Sequence, residues 1–90
     1  MVWKPSVTVA AVIERDGRFL FVEERSEGRL VLNHPPGHLD RGESLGAACA
    51  REVMEETAHR FEPKALVGVY RWHYAAQEMT FLRFCFSGKA

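Results

Sequence analysis

The sequence predicts an α+β domain: a mixed or antiparallel sheet carrying one central helix. Three observations point there. Apolar runs rich in β-branched and aromatic residues lie on both sides of the middle of the chain, bounded by glycine, proline and Asp-Gly punctuation. Between them stands a proline-free stretch, 45–58, with alanine at positions 47, 48, 50 and 58. The order strands, helix, strands departs from the strict alternation of a doubly wound parallel fold. With 90 residues, a single domain spanning 1–90 is expected, and a 47% apolar content separates the chain from disordered sequences.

The elements follow in order. Lys4-Pro5 marks the entry to a first strand over 7–13, and Arg15-Asp16-Gly17-Arg18 is a turn signal. A second apolar run over 19–22 pairs with the first as a hairpin. Ser26-Glu27-Gly28 reads as a loop and 30–32 as a short strand. Asn33-His34-Pro35-Pro36-Gly37 is expected to be irregular, because two prolines and a glycine extend neither helix nor strand regularly. His38-Leu39-Asp40 is a candidate for brief pairing, and Arg41-Gly42-Glu43-Ser44 turns into the helix with Ser44 as N-cap. Ala47, Cys49, Ala50, Val53 and Met54 occupy the arc away from the helix carboxylates and form its packing flank. Phe61-Glu62-Pro63 is a break. A strand over 64–74, with Gly68 at a bulge, and one over 78–87 form an antiparallel hairpin through Ala75-Ala76-Gln77. On the last strand Phe81 and Arg83 share one face, Phe84 and Phe86 the other.

Twelve acidic and twelve basic residues give a formal net charge of zero, so no basic field is available to hold a nucleic-acid polymer. No 18-residue apolar run exists, and the N-terminal residues do not resemble a signal peptide. Cys49 and Cys85 sit in apolar surroundings and read as small buried hydrophobes. With His34, His38, His59 and His73 scattered, they make no zinc spacing. No membrane partner and a reducing, cytoplasmic setting are therefore expected.

The densest chemistry is Arg51-Glu52-Val53-Met54-Glu55-Glu56. At about 100° per residue, Glu52, Glu55 and Glu56 fall within an arc of roughly 100°. Three like charges on one face repel, so the helix gains nothing from them alone. A hard divalent cation such as Mg²⁺ makes the arrangement favourable, since it takes oxygen ligands beside substrate phosphates. The competing reading of the triplet is a solvated acidic face.

The surroundings decide between the two. Gly37, five residues, Glu43, seven residues, then Arg51-Glu52-Val53-Met54-Glu55-Glu56-Thr57 closely resembles the Nudix box, the signature of the Nudix (MutT-like) pyrophosphohydrolases, here over 37–59. The pattern departs at Ala58-His59, where the family has glycine and then an apolar residue. That glycine normally ends the helix in left-handed conformation, so either the helix runs further here or its exit differs. Lys4-Pro5, Val7-Thr8-Val9-Ala10, Val22-Glu23-Glu24, Asn33, Pro36-Gly37-His38-Leu39 and Phe81-Leu82-Arg83-Phe84 resemble the NudJ-type phosphatases within that superfamily. The narrower resemblance implies action on nucleoside di- and triphosphates and on thiamine-type pyrophosphates.

Cleaving a phosphoanhydride with water requires neutralised phosphate oxygens and a positioned, activated water. Carboxylate-bound Mg²⁺, with Mn²⁺ as substitute, supplies both. Glu52 and Glu56, one turn apart, are the candidate principal ligands. Glu55 is a further ligand, direct or through water, or the base. Arg51 precedes Glu55 by four residues and can hold that carboxylate in place. Glu43 supports the loop–helix junction, and Gly37 lets the backbone approach the metal. The resemblance implies the Pro36 carbonyl as another ligand. His38, Arg29 and Arg83 are candidates for substrate phosphate, as is His34, against packing or salt-bridge roles. Trp3, Trp72 and Tyr74 are candidate stacking surfaces, against the commoner role of strand aromatics as core.

The resemblance also implies an α/β/α sandwich whose second long helix covers the other sheet face. No such helical stretch is found before Ser87-Gly88-Lys89-Ala90, so a truncated form of that fold, second helix missing, is expected. Uncovered apolar strands invite pairing, which implies self-association as a dimer or higher. The expected activity is a Mg²⁺-dependent pyrophosphohydrolase acting on small-molecule phosphoanhydrides. The alternative is a catalytically silent fragment that binds metal or nucleotide, or only oligomerises.

Overall fold

A computed structural model describes residues 2–26, 28–33 and 36–90, with backbone only for 24–26, 29–33 and 36. In chain order these residues form β1 (Ser6–Arg15), β2 (Arg18–Phe19), β3 (Val22–Ser26), β4 (Arg29–Asn33), β5 (Pro36–His38), α1 (Leu45–Thr57), β6 (Glu62–Tyr74), a 3₁₀ turn (Ala75–Gln77) and β7 (Met79–Lys89).

The main sheet is mixed, and β1 is its hub. One edge of β1 pairs in parallel with β7, from Ser6↔Phe81 to Ile13↔Gly88. Its other edge holds β5 antiparallel at Thr8–Ala10 and β2 at Glu14–Arg15. β6 lies antiparallel on the far side of β7, and β3 with β4 makes a separate two-stranded ribbon. A parallel β1–β7 pair needs a crossover between its members, and the segment carrying α1 lies within that connection.

The core lies between α1 and one face of the sheet. Alternate residues Val9, Ala11 and Ile13 of β1 meet Ala48, Cys49 and Val53, with Phe61 closing the group. On the helix the packed stripe is Leu45, Ala48, Cys49 and Val53, the i, i+3, i+4, i+8 spacing of one face. It is rotated from the flank expected from sequence: Ala47 and Met54 are exposed. The rotation matters, because it sets Glu52 at the border of the buried stripe.

The ends of α1 follow capping chemistry. Ser44 has extended backbone, and its Oγ accepts from the Ala47 N–H at 3.1 Å, as expected of an N-cap. The helix ends one residue earlier than the sequence suggests. Ala58 takes the left-handed conformation itself, φ 60°, and its N–H donates to Met54 O at 2.9 Å. So the exit is the one a glycine would make, performed by alanine at a steric penalty. Thr57 assists: its hydroxyl donates to Val53 O at 2.7 Å and accepts from the His59 N–H at 3.2 Å.

Three local expectations are corrected. The first hairpin is far shorter than its apolar runs, with only Glu14↔Phe19 and Arg15↔Arg18 paired around Asp16 and Gly17. Val22 belongs instead to β3, where its partner is Asn33. The stretch Asn33–Gly37 is not irregular throughout. Asn33 closes β4, and Pro36 and Gly37 open β5; a proline is tolerated at the first residue of a strand. His34 and Pro35 lie outside the described residues. Phe61-Glu62-Pro63 does not break the chain for long, because β6 starts at Glu62. A register shift between Pro63 and Ala65 accommodates the missing proline N–H. A second shift between Leu66 and Gly68 is the expected bulge.

Candidate active site

The glycine and the carboxylates of the 37–59 segment meet across elements. Gly37 sits in β5 opposite Val9, on the face toward α1. A Cβ at Gly37 would collide with the Cγ, Cδ and Oε2 of Glu52, so the glycine is the space in which that carboxylate lies. Glu52 leaves the helix at the border of its buried stripe, and its side chain is only 14% exposed.

Arg51 ties the segment together. Its Nε and Nη2 grip Glu43 as a two-point fork, at 2.7 Å to Oε2 and 2.9 Å to Oε1. Nη1 reaches Glu52 Oε1 at 2.8 Å and Glu55 Oε2 at 3.2 Å. Nη2 also donates to the His38 carbonyl at 2.9 Å and lies 3.3 Å from Asp40 Oδ2. Glu43 Oε1 in turn accepts from the Asp40 N–H at 3.0 Å. One guanidinium thus fixes the loop before the helix, the strand β5 and two helix carboxylates. The hydrogen bond from Arg51 holds the Glu43 carboxyl below its ordinary range, against a smaller opposing effect of burial. The same bond, followed by that to Glu52, raises the pKa of Arg51.

A cleft of about 400 Å³ opens beside this network. Glu52, Glu56 and Gly37 line one side, Trp72, Phe81 and Arg83 another, with Thr8 and His38 at its floor and edge. Strand register explains the second group. Thr8 pairs with Arg83, Ser6 with Phe81 and Phe81 with Trp72, so all lie on the sheet face away from α1. A larger cleft, about 540 Å³, lies by the β1–β2 turn between Arg15, Arg18 and His59, away from the helix carboxylates.

A single positive charge at Arg51 faces Asp40, Glu43, Glu52 and Glu55. With Glu56 nearby the surplus is acidic, and the donors are hard carboxylate oxygens. Among the described residues, no three acidic, histidine or cysteine side chains converge as a ready-made metal cage. Mg²⁺ does not demand one. It usually sits on one or two carboxylates and completes its shell with water and substrate phosphate. The paired wall of Glu52 and Glu56 fits that habit.

Residues 3–87 match the family model described as NUDIX domain. The chain belongs to the Nudix family. It is 42% identical over 85 residues to the phosphatase NudJ of Escherichia coli K12, an alignment covering 94% of this chain and 55% of the relative. The chain therefore spans about half the length of the curated relatives it matches. Among solved structures, a Nudix hydrolase from Nitrosomonas europaea superposes with a TM-score of 0.89 at 55% identity, over 96% of this chain and 59% of that one. A MutT Nudix hydrolase from Burkholderia pseudomallei gives 0.86 at 28% identity, over 98% and 69%. The mixed sheet with one helix is thus a Nudix fold, represented over part of its usual extent.

Within this Nudix domain the sequence-selected residues separate into groups. Glu52, Glu56, Gly37, His38 and Arg83 meet at the cleft. Arg51, Glu43 and Glu55 form the network behind it, and Glu55, 57% exposed, is not among the residues lining the cleft. Pro36 pairs with Ala10 in β5 through its backbone. The side chain of Arg29 and the whole of His34 lie outside the described residues. Trp3 is 66% exposed at the chain start, whereas Trp72 lines the cleft. Sequence reasoning missed Thr8 and Asp40. A lone threonine in an apolar strand was a signal for the first; only the fold brings Asp40 to Arg51.

No helix among the described residues is long and apolar enough to cross a membrane.

Proposed function

We propose that this chain is a divalent-metal-dependent hydrolase of small-molecule phosphoanhydrides, acting on nucleoside di- and triphosphates or thiamine-type pyrophosphates. The observation that carries the reading is the cleft in which Glu52, seated over Gly37, and Glu56 face Arg83. Glu52 and Glu56 would hold Mg²⁺ or Mn²⁺, with the Pro36 carbonyl as a further oxygen donor. When bound, the metal neutralises phosphate oxygens and lowers the pKa of a coordinated water. The chain's own residues do the positioning. Arg51 keeps Glu52 and Glu55 in fixed rotamers, and Glu43 keeps Arg51 in place. Glu55 is assigned as the base or as a ligand through water. Arg83, with His38 at the edge, receives substrate phosphate oxygens. Relatives named as phosphatase and Nudix hydrolase support the reaction class.

The test is phosphate or pyrophosphate release from a nucleotide and thiamine-type panel with Mg²⁺, comparing wild type with Glu56→Gln. The glutamine keeps the shape and removes the charge, so a loss of about 100-fold or more is expected for a group that stabilises transition-state charge. Chelation should abolish turnover, and Mn²⁺ should restore it. Equal rates in the two proteins would sink the assignment of Glu56.

A further inference from the structure

Across from the carboxylates the cleft has a wall of different chemistry. Trp72 and Phe81 are direct cross-strand partners, and their rings stack with centroids 5.0 Å apart and planes 17° apart. The guanidinium carbon of Arg83 lies 5.0 Å from the centroid of the same indole, and its Nε donates to Thr8 Oγ1 at 3.4 Å. Each contact removes a rotational freedom: Phe81 orients the indole, and the indole with Thr8 orients the guanidinium. Such preorganisation lowers the entropy lost on binding. Thr8 is buried, 4% exposed, so the wall rests on a fixed floor. Trp72 nevertheless keeps 40% of its surface exposed. Indole in a strand is ordinarily a core group, yet here it faces a cleft that also holds two carboxylates.

We propose that Trp72, backed by Phe81, is the specificity-determining residue of this cleft and selects diphosphates bearing a flat aromatic ring over those bearing an aliphatic chain. The ring lies against the Trp72–Phe81 pair, while the diphosphate reaches Arg83 and the Glu52–Glu56 side of the cleft. Arg83 is the one permanent cation among the described residues lining the cleft, so it serves the phosphates while the indole serves the ring. A flat ring can lie against the exposed indole, whereas a flexible alkyl chain has no face to offer. The use of this selectivity in turnover rests on the hydrolase reading above; the binding preference does not.

Two measurements test it. The first compares kcat/KM of wild type, Trp72→Ala and Trp72→Phe on a nucleoside diphosphate and on an alkyl diphosphate. Base–aromatic stacking corresponds to a loss of about 5- to 100-fold on removal of the ring. Trp72→Ala should show that loss on the nucleoside diphosphate, mainly as a raised KM because stacking is shared by ground and transition states, and a clearly smaller loss on the alkyl compound, which loses only the indole's hold on Arg83. Trp72→Phe should recover most of it. Equal losses on both compounds, or a loss confined to kcat, would overturn the proposal. The second uses a Trp3→Phe protein, in which Trp72 is the single tryptophan. An uncharged nucleoside should quench its fluorescence without metal, and an alkyl alcohol should not. Quenching without any hydrolysis would retain the aromatic wall and discard the hydrolase reading. Hydrolysis of both diphosphates at equal efficiency, without quenching, would do the reverse.

Discussion

The loop and helix from Gly37 to Thr57 and the hairpin of β6 and β7 are both long, and they are held by opposite means. In the first, Ala48, Cys49 and Val53 are at most 1% exposed, and a charged network centred on Arg51 fastens the polar side. In the second, Leu66, Val69, Tyr70 and Trp72 keep between 40% and 52% of their surface in solvent. That hairpin is ordered by its backbone ladder and by cross-strand pairs such as Trp72 with Phe81. The difference teaches where precision is concentrated. The carboxylate wall sits on the segment with the most buried side chains; the aromatic wall sits on a hairpin whose side chains are half exposed and held by contacts with one another.

The comparison can be broken most directly at Arg51. Arg51→Ala leaves Glu43, Glu52 and Glu55 to repel one another and frees the carboxylates to move. Misplacing catalytic groups by about 1 Å can cost about 100-fold, and a loss of that size in kcat/KM is expected on any phosphoanhydride the chain hydrolyses. A variant with wild-type kinetics would show that the network is ornamental to catalysis. Next comes a pair of equal truncations. Val53→Ala should lower unfolding free energy by about 2 kcal/mol, since it removes a fully buried side chain and leaves a cavity. Val69→Ala, at 49% exposure, should change it by less than about 0.5 kcal/mol. Urea titrations of both decide it, and equal effects would erase the contrast.

Ala58 gives a smaller effect of opposite sign. Its φ of 60° is strained for alanine, and glycine removes that strain while adding freedom to the unfolded chain. Ala58→Gly should therefore raise the urea midpoint, by about 0.5–1 kcal/mol in net stability with an unchanged m-value. The smallest effect is in acid. Glu43 has a lowered folded-state pKa, so its stabilisation is present above its unfolded pKa and lost as pH falls through the folded value. The stability gap between wild type and Glu43→Gln should narrow below about pH 5, followed by thermal melts across pH. A gap that widened in acid would contradict the depressed pKa. Burial, by contrast, pushes the Cys49 thiol up to about 12, so this residue stays a neutral core group through the whole range.

Much of the site is legible without a structure, but unevenly. Ser44, followed by an alanine-rich stretch, announces the helix start, because capping is local. Arg51 to Glu55 is one helical turn, and the bond between them needs no tertiary information. The helix exit was less legible: the chain carries Ala58 where glycine is usual, and the Met54 carbonyl bond plus Thr57 outweigh its intrinsic reluctance. The packing flank lies about one position round from the arc the sequence suggests, because apolar side chains at Ala47 and Met54 fit the helical arc equally well until a sheet chooses between them. Likewise Val22 could extend β2 or start β3; its pairing with Asn33, not its apolar character, decided that.

By itself the sequence determined the helix, its N-cap, the shared arc of Glu52, Glu55 and Glu56, and the distances to Gly37 and Glu43, all of which depend on spacing along one short segment. The tertiary structure decided the rest. It set β1 and β7 side by side in parallel, residues more than 70 positions apart, and so put Thr8 under Arg83. It laid Gly37 beneath Glu52 and gathered His38, Asp40 and Glu43 on one guanidinium. Local periodicity records which face a residue occupies on its own element. Which other element meets that face is settled by strand pairing and core packing across the whole chain, and that is what turned an acidic helix into one wall of a cleft.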